Sequence, residues 1–327
     1  MHDFTILVLP GTYAASVAIT LDVLSAAVAM ATRANVAFPK WRVVSPRGGL
    51  VPLSSGLHIE TSPIPRRNRG DRSTWIVPGL GVQRGSEVAM RLQSDEAKSA
   101  IRALKAHGRS GGPVAASCTG VFLLQAADLL VGHRVTTSWW LAAELRQLES
   151  RCVVDADRMV CIDGSITTAG AALAQTDLML HLLRARLGSA LAEAVSRVML
   201  IDGRQAQSPF ILPTLLSSGN DLIARLTEKV HATLPGPVTV AFLADEFAMS
   251  TRTLSRHVKA ATGKSTSALV QSIRLNHARM LIETSRMTIE NVAEQVGYGD
   301  ATALRRLMRK MAGVRPSRFR SSTTGAR

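Results

Sequence analysis

The sequence predicts an α/β parallel-sheet sandwich followed by an all-α domain with two helix-turn-helix motifs. Three observations lead to this fold class. Apolar runs alternate with helix-like segments over roughly the first two hundred residues, which is typical of a parallel sheet with helices on both faces. A helix, a turn and a basic helix then occur twice towards the end of the chain. The length of 327 residues suits two domains, which we expect at 1–205 and 221–327 with a linker at 206–220.

In the first domain, the run 5–9 is continuously apolar and is closed by Pro10 and Gly11, as expected for a strand buried on both faces. Further strands are predicted at 41–45, 75–77 and 113–117. Helices are predicted at 16–32, 94–107 and 119–130. Ser94 is placed to cap the second of these helices, and Gly108 lies just past its expected end.

The second domain contains the repeated motif. In the first copy, a helix at 238–247 is followed by a turn and by a basic helix at 251–261, which Ser250 can cap and Gly263 ends. In the second copy, Asp300 is placed to cap the basic helix. The remaining helices are predicted at 220–233, 267–285, 288–296 and 300–310.

The helix at 267–285 sets the distance between the two copies. A helix of about 18 residues spans about 27 Å. With the flanking helices added, the two basic helices lie about one turn of DNA apart, ~34 Å, so both can enter adjacent major grooves on one face of the duplex.

Positive charge is concentrated in the second domain. The chain has a formal net charge of +15, and residues 221–327 carry 17 lysines and arginines against 8 acidic residues. Such an excess indicates a polyanion as the partner, and double-stranded DNA in particular.

Composition excludes several other classes of protein. No uncharged apolar run reaches the ~18 residues of a membrane span, and no basic segment precedes the first apolar run as in a signal peptide. Three cysteines, Cys118, Cys152 and Cys161, are too few for a disulfide scaffold or a tetrahedral metal site. We therefore expect a cytoplasmic protein with no membrane partner, no metal and no cofactor.

Several stretches of the second domain have a recognisable pattern: 249–256 (MSTRTLSR), 262–265 (TGKS), 273–281 (IRLNHARML), 289–293 (IENVA), 296–300 (VGYGD) and 313–320 (GVRPSRFR). Residues 235–320 thereby resemble the AraC-type DNA-binding domain. The resemblance implies base contacts from outward residues of both basic helices: Arg252, Thr253, Ser255, Arg256, Thr302, Arg305 and Arg306. Arg309 lies on or near the same exposed face, and Lys264 and Arg318 are expected on phosphates. Leu307 and Met308 stand where many relatives carry an aromatic residue, so we expect a repacked core there.

The first domain contains a cysteine in a distinctive setting. Ala116-Ser117-Cys118-Thr119-Gly120 follows a strand and opens a helix, and its small residues permit the sharp turn of a nucleophile elbow. The start of the helix would lower the pKa of the Cys118 thiol and expose it at the floor of a pocket. The alternative is a buried and inert cysteine.

Matching pieces extend over residues 1–200: 8–11, 21–24, 77–79, 116–124, 132–139 and 163–170. They resemble the flavodoxin-like PfpI/class I glutamine-amidotransferase-like fold, as found in GlxA-type regulators that join it to an AraC-type domain. Enzymes of that superfamily need a base near the cysteine. Ser138 stands where relatives commonly carry histidine, and Ser16 stands where they commonly carry an acid. Unless His133 substitutes, we expect no catalysis.

A pocket can remain although the chemistry is lost. Open α/β sheets bind ligands at the carboxyl ends of their strands, and helix-start amides favour an anionic group such as a carboxylate. The residues expected to line this pocket are Ser16, Gly79, Gly81, Cys118, Thr119, Ser138, Ala169 and Gly170.

These features favour a sequence-specific transcription regulator that a small molecule or dimerisation controls. We expect a homodimer through the first domain, with RNA polymerase as a further possible partner. The alternative is a cysteine-dependent amidase or hydrolase, with Cys118 as its nucleophile and an attached DNA-binding domain. A purely architectural DNA binder fits poorly with so large a first domain.

Overall fold

The chain divides into two units, Met1–Arg204 and Gln205–Arg327, in the computed structural model. The structure describes residues 2–65, 71–201, 207, 221–285 and 287–312. Apart from Gln207, the expected linker at 206–220 lies outside the described residues.

The strands of the first unit are β1 (Phe4–Leu7), β2 (Trp41–Ser45), β3 (Gly49–Pro52), β4 (His58–Pro63), β5 (Thr74–Val77), β6 (Val114–Ser117), β7 (Arg134–Val135), β8 (Val153–Val154), β9 (Val160–Asp163) and β10 (Ile166–Ala169). Eight of them form one sheet in the order β3-β4-β2-β1-β5-β6-β10-β9, while β7 pairs with β8. Pairing is parallel from β4 to β10 across the sheet and antiparallel at its two edges. The predicted parallel sheet is confirmed.

The helices of this unit are α1 (Ala14–Ala31), α2 (Gly85–Leu92), α3 (Asp95–Arg109), α4 (Val121–Ala126), α5 (Ala142–Leu148), α6 (Ala174–Leu187) and α7 (Ser189–Val198). They form two layers because alternate strand residues face opposite sides of the sheet. In β5, Trp75 and Val77 belong to the core that includes α2 to α5. Ile76, between them, belongs to the core that includes α1, α6 and α7.

The direction of the chain changes between β1 and β5, which are neighbours in the sheet. From β1, the chain passes through α1 to β2 on one side; from β5, it passes through α2 and α3 to β6 on the other. In open α/β sheets, a crevice forms at such a point beyond the carboxyl ends of the strands. The loops after β1, β5 and β6 therefore surround the place where a ligand would bind.

Of the described helices, α1 has the length and apolar character that a membrane span would need, with 18 residues and a mean hydropathy of 1.9. In this fold, however, it packs on the sheet and against α6 and α7. Val17, Val23, Leu24 and Ala27 are fully or almost fully buried. The helix is therefore part of the core of the first unit.

Two predicted helix ends in the first unit are wrong. Helix α3 continues through Gly108 to Arg109, because Gly108 allows a close approach to Leu129 and the chain turns only at Gly111, with φ of 79°. The helix expected at 119–130 is a 3₁₀ turn at Cys118–Gly120 followed by the short α4.

The second unit contains α8 (Asp221–Thr233), α9 (Val240–Glu246), α10 (Thr251–Thr262), α11 (Thr266–Thr284), α12 (Ile289–Gln295) and α13 (Ala301–Ala312). The pairs α9–α10 and α12–α13 are the two helix-turn-helix motifs. Each has its own core, with Leu254 buried in the first and Leu304 in the second. Helix α11 contributes Leu269 to the first core and Leu275 to the second, so one continuous helix joins the two motifs.

Candidate DNA interface and candidate ligand site

Helix α10 presents a basic face. It begins where Ser250 Oγ accepts a hydrogen bond from the Thr253 amide at 3.1 Å, and it ends at Gly263 in the left-handed conformation. Leu254 is fully buried, whereas Arg252 and Arg256, one turn apart, are exposed. Their guanidinium groups are therefore free to reach the edges of bases.

Three other predicted contacts of the first motif are half-buried and bonded within the unit. Thr253 Oγ1 lies 2.9 Å from Ser250 Oγ, and Ser255 Oγ accepts a hydrogen bond from Thr266 Oγ1 at 3.4 Å. Lys264 Nζ donates to Ser272 Oγ at 3.1 Å. To contact DNA, these side chains would have to share or exchange these partners.

Helix α13 presents the second basic face. Asp300 Oδ1 accepts a hydrogen bond from the Ala303 amide at 2.8 Å, and this bond lowers the pKa of the Asp300 carboxyl. Thr302, Arg305 and Arg306 are exposed, while Met308 is buried in the core with Leu304. The side chain of Arg309 and the whole of Arg318 lie outside the described residues.

Arg305 has a partner that the sequence did not reveal. Its Nη2 lies 2.7 Å from Glu290 Oε1 on α12, and both side chains are at least half exposed. The ion pair joins the two helices of the second motif on their solvent side. Arg305, which is predicted to contact a base, therefore already has a partner within the motif in the absence of DNA.

Cys118 occupies a strained turn at the carboxyl end of β6. Its φ of 52° lies in the left-handed region, and its amide donates to Gly170 O at 2.8 Å. A methyl group at Gly120 would lie 2.5 Å from Val77 O and 2.6 Å from Pro78 O, so the turn requires glycine at this position. This is the geometry of a nucleophile elbow.

Hydroxyl groups surround the elbow. Ser138 Oγ donates to Cys118 Sγ at 3.0 Å, and Thr137 Oγ1 donates to Cys118 O at 2.7 Å. Thr119 Oγ1 accepts a hydrogen bond from the Leu80 amide at 2.8 Å. The loop after β5 also packs against the cysteine, since a methyl group at Gly79 would lie 3.1 Å from Cys118 Cβ and 3.4 Å from Cys118 Sγ.

The predictions that the pKa of the Cys118 thiol is lowered and that the thiol is exposed are both wrong. Cys118 is only 7% exposed, and this burial raises the pKa of its thiol, against the smaller lowering effects of Ser138 and Thr119. A low dielectric disfavours the charged form, and α4, which begins only at Val121, is too short to compensate with a large dipole. The raised pKa favours the neutral thiol at neutral pH, and the thiol lies beneath the surface instead of at an open pocket floor.

His133 cannot replace the missing base. Its Nδ1 lies 3.6 Å from Asp163 Oδ1, beside the turn between β9 and β10. The Cys118 amide instead binds Gly170, past the other end of β10. Four strand residues at about 3.3 Å each separate the two places.

The other predicted ligand residues divide into two groups. Gly81 lies against the loop after β1, where a methyl group would collide with Gly11 O, and Gly170 lies beside Cys118. Ser16 is fully buried with its hydroxyl 3.4 Å from Ala172 O, and Ala169 belongs to the core beneath α1 and α6. Neither of the last two reaches the surface.

Sequence reasoning missed Arg91 on α2. Its Nη2 donates to Leu80 O at 3.2 Å, and the guanidinium lies against Gly11, so that it sits beside the loops after β1 and β5. No motif marks this arginine. Its position depends on packing between residues about 80 apart in the chain.

Comparison with known families gives two matches. Residues 5–185 match the model of the DJ-1/PfpI family, and residues 243–322 match the model of a helix-turn-helix domain.

Three relatives are transcriptional regulators. The HTH-type transcriptional regulator GbdR of Pseudomonas aeruginosa (strain UCBPP-PA14) is 26% identical over 280 residues, which cover 85% of this chain and 73% of that protein. GlxA of Rhizobium meliloti (strain 1021) is 24% identical over 287 residues, with 86% of each chain covered. CdhR of Pseudomonas aeruginosa is 24% identical over 324 residues, covering 98% of this chain and 92% of that protein.

Two solved structures share the fold of the first unit. Drosophila melanogaster DJ-1beta has a TM-score of 0.50 at 18% identity, with 62% of this chain and all of that chain covered. An AraC family transcriptional regulator from Pseudomonas putida has a TM-score of 0.50 at 19% identity, with 61% and 100% covered.

Proposed function

Because this chain belongs to the DJ-1/PfpI family and is a DNA-binding transcriptional regulator with an AraC-type helix-turn-helix domain, we propose that a small molecule bound in its first unit controls its affinity for an operator. The observation that carries the proposal is the hydrogen bond from Ser138 to Cys118. A hydroxyl group occupies the place where the superfamily's enzymes hold a base.

The surroundings of Cys118 favour binding over turnover. The elbow, the Gly79 loop and Gly170 keep the shape of an active site at the carboxyl ends of the strands. Activation of a thiol requires a base or a lowered pKa, and burial raises the pKa of Cys118. A ligand can therefore bind here without being converted.

The second unit supplies the DNA contacts. Arg252 and Arg256 in α10, and Arg306 in α13, are exposed on the helices that would enter adjacent major grooves. Arginine pairs with the O6 and N7 atoms of guanine through two hydrogen bonds. Thr253, Ser255, Thr302 and Arg305 would add base contacts, and Lys264, Arg309 and Arg318 would bind phosphates.

A homodimer would fit the role of a DNA-binding regulator. A homodimer through the first unit would present four motifs to a two-fold symmetric operator. The protein would act in the cytoplasm, where the bacterial chromosome of its relatives lies, and would change transcription by its effect on RNA polymerase.

The test combines operator binding with a search for turnover. Bound DNA is mapped across the genome, and the affinity of the full chain for the recovered operator is then measured with and without a small-metabolite extract. We expect the extract to change the affinity of the wild type and of Cys152→Ser, whereas Ser138→Ala, which removes the hydroxyl bonded to Cys118, weakens the response.

The alternative enzyme is tested on the same samples. Turnover of amide or ester substrates by the wild type that disappears in Cys118→Ser would establish a cysteine-dependent amidase or hydrolase. It would overturn the proposal.

A further inference from the structure

Arg91 is a half-buried cation without an acidic partner among the described residues. Its guanidinium donates a hydrogen bond to a neutral carbonyl oxygen, Leu80 O, at 3.2 Å. Burial lowers the pKa of the guanidinium, although arginine remains charged at neutral pH. A charge removed from water without a counter-ion costs free energy, so this arrangement needs an explanation.

Two carboxylates near α2, those of Glu87 and Glu144, lie away from Arg91. Glu87, one turn before Arg91, accepts hydrogen bonds from the Gln83 amide at 3.0 Å and the Arg84 amide at 3.2 Å. Glu144 lies against Gly85 at the opposite end of the helix. Neither carboxylate forms a salt bridge with Arg91.

The position of the guanidinium is built into the loops. A side chain at Gly11 would collide with Arg91 Nη2, and the φ of Gly11 is 76°, which L-residues rarely adopt. Gly11 thus leaves the space that the guanidinium fills, while Leu80 O orients it.

This position is the crevice between β1 and β5, where the chain changes direction across the sheet. Ligands of open α/β sheets bind at such points. Leu80 also links Arg91 to the elbow, because its amide binds Thr119 Oγ1 and its neighbour Gly79 lies against Cys118. The Arg91 guanidinium and the turn at Cys118 therefore lie beside the same crevice.

We propose that Arg91 is the anion-binding residue of the first unit and that it pairs with the carboxylate of a small monocarboxylic acid. The inference rests on the proposed ligand control of the protein and adds the chemical class of the ligand. The planar guanidinium can donate two parallel hydrogen bonds to a carboxylate. One guanidinium balances one negative charge, which favours a monocarboxylate over a phosphate dianion.

The experiment compares the full-length wild type with Arg91→Gln and with Arg33→Gln, which removes the same charge from an exposed arginine after α1. The probe is sodium propionate at about 100 mM, with uncharged propionamide and inorganic phosphate as further arms and with chloride holding the ionic strength constant. We expect propionate to raise the Tm of the wild type and of Arg33→Gln by about 3 °C. We expect propionamide to have no effect, phosphate to have less, and Arg91→Gln to lose the response.

A second measurement needs no variant. Phenylglyoxal modifies accessible guanidinium groups, and mass spectrometry reports the modification of Arg91 in the wild type. We expect propionate, but not propionamide, to slow the modification of Arg91 and to leave that of Arg33 unchanged.

The failures are distinguishable. An equal rise of Tm in Arg91→Gln, or no protection of Arg91 from phenylglyoxal, would overturn the role of Arg91. If a metabolite extract still changed the operator affinity, the proposed ligand control would remain intact. A larger effect of phosphate than of propionate would overturn the carboxylate class.

Discussion

At the scale of single residues, Cys118 shows how burial can oppose a local sequence pattern. The five residues around it predict a reactive thiol at a helix start, and the backbone adopts that turn, with φ of 52° at Cys118. The thiol is nevertheless buried, and its pKa is raised. Solvation, which depends on the whole fold, outweighs the dipole of a short helix.

The burial of the cysteines predicts the order in which an alkylating reagent labels their thiols. Iodoacetamide reacts with the thiolate. Burial raises the pKa of all three thiols, so at about pH 7.5 the order of their reaction follows their exposure. We expect Cys152, the one of intermediate exposure, to be alkylated first, and Cys118 and Cys161 at least about tenfold more slowly. Burial raises the pKa of Cys161 to about 11.

Mass spectrometry of the peptides measures these rates. Guanidinium chloride provides the control, because unfolding should make all three thiols react alike. Fastest labelling of Cys118 in the folded protein would show an exposed thiolate and contradict the buried state described here.

Part of the candidate ligand site could be predicted from single residues. Gly79, Thr119 and Ser138 do come together at Cys118. Gly79 and Thr119 each follow a predicted strand, whereas Ser138 was located by the family resemblance. Ser16 and Ala169 were assigned from the family resemblance, and packing directs both into the interior. Arg91 was missed because no motif marks it, and only its tertiary contacts show that it lies beside the loops after β1 and β5.

At the scale of elements, the helices of the second unit follow the prediction within one or two residues. Their starts depend on local caps: Ser250 and Thr288 each accept a hydrogen bond from the amide three residues later. Such contacts can be read from short sequence windows. Contacts between elements cannot, and the ion pair from Glu290 on α12 to Arg305 on α13 is an example.

Removal of that ion pair should change base selectivity more than stability. Glu290→Gln keeps the length of the side chain but releases Arg305, whose guanidinium then samples other directions. An exposed ion pair contributes at most about 1 kcal/mol to the free energy of unfolding. We expect a nearly unchanged Tm and a loss of up to about tenfold in discrimination at one base position.

The measurement is a binding titration against operators substituted one base pair at a time. Glu294→Gln, which removes an exposed carboxylate from the same helix, is the matched control and should strengthen binding to all sequences alike. If both variants changed affinity uniformly, Glu290 would act only through its charge.

At the scale of the whole molecule, the proposed function assigns DNA recognition to the second unit and ligand control to the first. Residues 221–327 carry 17 of the 39 lysines and arginines in about a third of the length. The polyanion contacts should therefore be a property of that segment, whereas the candidate ligand residues all lie in the first unit.

The salt dependence of DNA binding tests this division. Each phosphate contact releases counter-ions and adds about 0.9 to the slope of log affinity against log salt concentration. We expect residues 221–327 alone to bind duplex DNA with a slope per monomer equal to that of the full chain. A slope near zero for this segment would place the phosphate contacts elsewhere.

Helix α11, whose 19 residues run unbroken between the two motifs, has a consequence for promoters and their evolution. A rigid helix fixes the distance between the two basic helices and hence the spacing of the two operator sites that they contact. One base pair inserted between these sites rotates one site relative to the other by about 34°. In a promoter that this protein binds, a base-pair substitution would lower the affinity by degrees. An insertion or deletion between the sites of the two basic helices would abolish simultaneous binding of both helices. Related promoters would therefore conserve the spacing between the two sites more strictly than the bases within them.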